Sequence, residues 1–168
     1  ENLNRFRVNK NFRKESLTRL KMALSVASRL LDGTAEGKYL NYIKSDGSYL
    51  FNFRIRGKFS YADILLFCQS LARYRGIATV PYPTGVVRFS LGGYISAGKE
   101  GMKVFTAEIE DAFSIFIKYW IRFADARNDV ANKEVETADL LQGVFGYAKD
   151  QDFIDSVIAD YKLSGKYK

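Results

Sequence analysis

Histidine does not occur in this chain. Its absence removes the commonest general base near neutral pH, the usual Ser-His and Cys-His nucleophile pairs, and most zinc sites. Proton chemistry is left to Asp, Glu, Lys and Tyr, which excludes most self-sufficient hydrolase designs. Cysteine is nearly absent as well. Cys68 has no partner in the chain, so no internal disulfide can form, and a reducing, cytoplasmic setting fits best. Proline occurs only at positions 81 and 83. No apolar run approaches the roughly 20 residues that cross a bilayer. The opening Glu-Asn-Leu-Asn-Arg has no methionine and no signal-peptide pattern, so no membrane partner is expected and the chain reads as part of a longer protein.

What is present suits one folded domain. The chain has 168 residues, of which 47% are hydrophobic and 27% charged, enough for a core and unlike a disordered chain. The formal charge is +7. Basic residues gather at the start (Arg5, Arg7, Lys10, Arg13, Lys14) and in a tail from Lys162 to Lys168, while the stretch from Asp125 to Asp160 is mostly acidic. A dispersed excess of this kind usually belongs to a solvated surface, and nucleic acid is not expected as a partner.

Periodicity organises the chain. Residues 1–15 are polar and basic and read as a leader or arm. From Ser16, a plausible N-cap, Leu17, Leu20, Leu24, Ala27 and Leu31 keep one helical face apolar, and Gly33 supplies a stop. Tyr39–Ile43 is short and aromatic, and residues 45–48 (Ser-Asp-Gly-Ser) signal a turn. Residues 49–56 alternate as a strand does. Ser60 with Asp63 begins a capping box for a helix whose apolar face is Ile64, Phe67, Cys68, Leu71 and Ala72, ended by Gly76. Strands are predicted at 77–80, stopped by the prolines, and at 86–91, closed by Gly92 and Gly93. A glycine-rich loop precedes a long helix over about 106–127, capped by Thr106 and buried through Ile109, Phe113, Phe116, Ile117, Trp120 and Phe123. Two shorter helical patterns, near 135–147 and 152–161, make residues 128–168 a helical extension. Strands separated by helices argue for an α/β fold, an α+β two-layer sandwich with a small mixed sheet and its helices on one face.

Residues 47–127 resemble the C-terminal small domain of fold-type I, class I/II pyridoxal-phosphate-dependent aminotransferases. A glycine turn leads into the apolar strand Gly47-Ser-Tyr-Leu-Phe-Asn-Phe53, and a helix ends in glycine before Ile77-Ala-Thr-Val80. The turn Pro81-Tyr-Pro-Thr-Gly85 follows, then Val87-Arg-Phe-Ser90 and a long closing helix. The helix at 16–32 matches the one that joins the two domains, so residues 16–127 form the small-domain-like unit. The resemblance implies amino-group transfer between an amino acid and a 2-oxo acid, with Arg88 clamping the substrate α-carboxylate. A guanidinium fork matches a carboxylate bidentately and keeps its charge at any working pH.

The same resemblance implies that the rest of the machinery lies elsewhere. The Schiff-base lysine, the acid facing the pyridinium nitrogen and the phosphate cradle belong to a large domain that precedes the small one, in an enzyme that is a homodimer. No catalytic, cofactor-binding or metal-ligating residue is expected in this chain, which alone should be inactive and bind no pyridoxal phosphate. Ser96-Ala-Gly-Lys99 echoes the run before a Schiff-base lysine, but Glu100-Gly-Met-Lys-Val-Phe105 lacks the downstream pattern, and Lys99 reads as a solvated loop lysine. The loop also lacks the spacing of a phosphate-binding P-loop. Two other classes of function compete: a nucleic-acid module stacking bases on Tyr39, Tyr42, Tyr49 and Phe51, and a structural interaction domain.

Overall fold

The computed structural model describes residues 2–32, 39–43, 50–91, 99–130 and 137–146, together with Asp152, Phe153, Asp155, Ser156 and Ala159. The element order is α1 (Asn2–Leu31), β1 (Leu40–Ile43), β2 (Leu50–Ile55), α2 (Tyr61–Arg75), β3 (Val80–Tyr82), β4 (Val86–Ser90), α3 (Lys99–Val130) and α4 (Thr137–Phe145). The α+β two-layer sandwich predicted from the periods is the fold. The turn expected at 45–48 and the loop at 92–98 lie outside the described residues, as does most of the stretch near 152–161.

The sheet runs β1-β2-β4-β3, and every neighbouring pair is antiparallel. A mixed sheet was the expectation, because a strand–helix–strand crossover normally joins parallel strands. β2 and β3 do run parallel across α2, but β4 slots between them and pairs with both. The crossover strands never touch, so each hydrogen-bonded pair is antiparallel. Gly85 makes the tight return into β4. Its φ of 76° is left-handed, and its N–H donates to the Tyr82 carbonyl at 3.0 Å. Pro81 lies inside β3 instead of stopping a strand before it. That is tolerated because β3 is at the sheet edge, where one side of the strand needs no donor.

One face of the sheet carries the core. Phe51, Phe53, Val87 and Phe89 alternate inward and are buried. Phe113 of α3 meets Phe51, Phe53 and Phe89 at ring-centre distances of 4.8, 4.9 and 5.1 Å. Phe67 of α2 sits 5.7 Å from Phe116 and 4.9 Å from Trp120, so α2 and α3 share this layer. The α1 stripe, Leu20, Ala23, Val26, Ala27 and Leu31, joins the same core, and Arg29 ties it to Glu110 of α3 at 2.8 Å.

Helix boundaries depart from the sequence reading in instructive ways. Residues 2–15, read as an arm, carry α1 on from Asn2, and Ser16 is buried within the helix instead of capping it. Arg, Lys and Leu are good helix formers, and no proline or glycine between 2 and 31 breaks the helix. Helix α3 likewise begins at Lys99, seven residues before the expected cap. Its buried positions recur from Gly101 through Phe105, Ile109 and Phe113, so the helical period starts on a glycine. The Thr106 hydroxyl donates instead to the Met102 carbonyl at 2.8 Å, one turn back. The start of α2 follows the reading closely: Ser60 and Asp63 form the full capping box, and Gly76 ends the helix at φ 69°. Of its expected face, Ala72 is exposed while Leu65 and Leu66 are buried.

Candidate functional site

Strand alternation puts Arg88 on the opposite face of β4 from Val87 and Phe89, so it points away from all the helices packed in the core. β4 is interior to the sheet, not an edge strand, so Arg88 is flanked on both sides. Asn52 of β2 stands opposite it on one side and Val80 of β3 on the other. The result is a half-buried arginine whose guanidinium carbon lies 5.1 Å from the Tyr82 ring centre. A cation over an aromatic face is held by the ring quadrupole, which limits the directions the fork can take.

No carboxylate partners Arg88 among the described residues. Ion pairs join Arg19 to Glu15, Arg29 to Glu110 and Arg127 to Asp63. The residues that share the outward face of the sheet with Arg88 are Asn41, Ile43, Leu50, Asn52, Arg54, Val80, Tyr82, Val86 and Ser90, and none is acidic. That face combines free positive charge with apolar side chains that water does not favour. Chemically it can bind a carboxylate or another small anion and bury its apolar part. It offers no general base.

Other candidates resolve differently. Cys68 is buried and burial pushes its thiol up to about 12, so it is no nucleophile. Lys99 is the first residue of α3. The groove between α1 and α3, about 370 Å³, is lined by Leu30, Ser114, Ile117, Lys118, Ile121 and Arg122 and lacks the acid that a pyridinium nitrogen requires, so it does not fit pyridoxal phosphate. Among the described residues no group of three or more His, Cys, Asp or Glu side chains could hold a metal ion, and no described helix is long and apolar enough to cross a membrane. Tyr39 and Phe51 are buried, and Tyr42 is half-buried against Phe51 at 6.5 Å, so these three do not form an open platform for bases. Tyr49 lies outside the described residues.

The sequence singles out Arg88 but gives no sign of Tyr82 beside it. Tyr82 sits between two prolines and reads as a turn residue. Only the β3–β4 register, pairing it with Val86, places it beside the guanidinium. No protein-family model matches the chain, and neither a curated protein nor a solved structure matches it significantly.

Proposed function

We propose that this chain is the small domain of a fold-type I, class I/II pyridoxal-phosphate-dependent aminotransferase, and that Arg88 binds the α-carboxylate of the amino acid or 2-oxo acid. The observation that carries this reading is the state of Arg88 itself. An arginine half withdrawn from water and without an acidic partner has lost hydration that an incoming carboxylate replaces with two parallel, charge-assisted hydrogen bonds. Arginines with a structural role in this fold, Arg19 and Arg127, are paired with acids. The order of elements supports the same reading: a strand over Leu50–Ile55, a capped helix, the Gly85 turn, the strand of Arg88 and a long closing helix follow the family's sequence of parts.

In that enzyme the large domain covers the outward face of the sheet, the protein is a homodimer, and closure of the small domain excludes water while bringing Arg88 to the substrate. Pyridoxal phosphate supplies the electron sink and is held by the large domain. The share of this chain is to bind and orient the carboxylate. The test is the reading frame upstream of the Glu1 codon. A Schiff-base lysine motif is expected there, together with an aldimine absorbance in the whole protein that borohydride abolishes. A whole protein without such a lysine contradicts the proposal.

A further inference from the structure

We propose that the groove between α1 and α3 is a second binding site, independent of Arg88, for an aliphatic monocarboxylate of medium chain length. At about 370 Å³ it lies within the range of about 300–1,000 Å³ that small-molecule sites occupy. Its α3 wall consists of two adjacent ridges set by the four-residue spacing of a helix. Ile117 and Ile121 form an apolar ridge, and Ser114, Lys118 and Arg122 form a polar one beside it. Leu30 of α1 completes the apolar lining. Ile117 is buried, while Leu30 and Ile121 are only half-buried, so this lining stays open to water.

The charges around the groove select an anionic head group. Lys118 and Arg122 are exposed, and among the described residues neither has an acidic partner. The acids on the same side of α3 are engaged or distant. Glu110, one turn before Ser114, is paired with Arg29 at 2.8 Å, and Asp125, one turn after Ile121, accepts from the Tyr39 hydroxyl at 2.7 Å. Asp111 lies two turns, about 10 Å of helix, before Lys118. Ser114 and Lys118 are one turn apart on one ridge, so a hydroxyl and an ammonium can hold one carboxylate between them. The guanidinium carbon of Arg122 lies 5.6 Å from the Tyr119 ring centre, so Arg122 adds positive field beside the head group. The aliphatic chain then covers Ile117, Ile121 and Leu30. A second charge on that chain would be desolvated against the apolar lining without a partner, which excludes dianions.

The test titrates the ¹⁵N-labelled chain with octanoate, butyrate and 1-octanol at constant ionic strength and follows the backbone amide shifts. Octanoate should shift the amides of Leu30, Ser114, Ile117, Lys118 and Ile121. It should bind about tenfold more tightly than butyrate, whose chain is too short to cover the lining. 1-Octanol should bind in the groove about fivefold more weakly than octanoate, the scale of one partly exposed ion pair. Lys118→Gln should bring octanoate to the level of 1-octanol and leave 1-octanol unchanged, while Lys118→Arg keeps the difference. Ile121→Ser should weaken both eight-carbon ligands alike. Trp120 fluorescence checks that each variant is folded. Octanoate shifts confined to β3 and β4 would place the carboxylate at Arg88, which would support the reading of that residue and overturn the groove site. No shift in the groove, equal affinities for octanoate and 1-octanol, or a Lys118→Gln chain that still prefers octanoate would overturn it as well.

Discussion

The Asp63 carboxylate joins two helices by accepting a 2.8 Å hydrogen bond from Arg127 Nε with one oxygen while its other oxygen accepts from the Ser60 N–H at 2.9 Å. The start of α2 is thereby fastened to the end of α3, and a local cap becomes a tertiary contact. Asp63→Ala should cost about 2 kcal/mol, because it removes both the cap and the charged hydrogen bond. Arg127→Ala should cost about 1 kcal/mol, since that arginine is partly exposed. In the double variant the losses should not add: urea unfolding should show a coupling of about 1 kcal/mol. Additive losses would mean that the two residues act separately.

Phe113 is the keystone of the aromatic layer, touching rings from both central strands. Phe113→Ala should destabilise the fold by about 3–5 kcal/mol, with Phe113→Leu costing much less because it leaves a smaller void. Thermal or urea unfolding reads both. A loss below about 1 kcal/mol for alanine would mean that the sheet and α3 are not packed as described.

The buried Cys68 thiol, raised to about 12, should not react with a disulfide reagent at neutral pH while the chain is folded. Modification should follow the unfolding curve as urea is added. Rapid labelling of the native chain would contradict its burial.

Acid should weaken the link between α1 and α3. The hydrogen bond and charge of Arg29 hold the Glu110 carboxyl below its ordinary value. A depressed folded value means that this contribution is present above the unfolded value, about 4.3 for glutamate, and is lost as pH falls through the folded one. The pair is exposed, so the effect is small and salt reduces it. Glu110→Gln should flatten that acidic part of the stability–pH curve at low salt. An unchanged curve would mean that the pair forms no lasting contact.

The readable parts of this sequence were those where one residue type enforces one geometry. Ser60 with Asp63 fixed the start of α2, Gly76 its end, and Ile109 to Phe123 the buried stripe of α3. Polar residues 2–15 and the glycine-rich start of α3 misled because composition there reports exposure and flexibility, whereas helix continuation needs only that nothing interrupts it. Sheet order was hidden for a different reason. Insertion of β4 between β2 and β3 depends on long-range pairing that local periods do not encode. The site followed the same division. Arg88 could be singled out from Val87-Arg-Phe-Ser90 and its surroundings, while its neighbour Tyr82 needed the register.

Kinetics of Arg88→Lys in the proposed full-length aminotransferase test the central claim most directly. Lysine keeps the charge but loses the pair of parallel hydrogen bonds, so the α-carboxylate is held less firmly and misaligned. The loss of a charged hydrogen bond, about 1.5–3 kcal/mol, should lower kcat/KM for amino acids by roughly one to two decades. Cofactor binding and the unfolding midpoint should be nearly unchanged, because in the proposed enzyme the arginine's partner is the substrate. Wild-type kcat/KM in the Arg88→Lys enzyme would contradict the account.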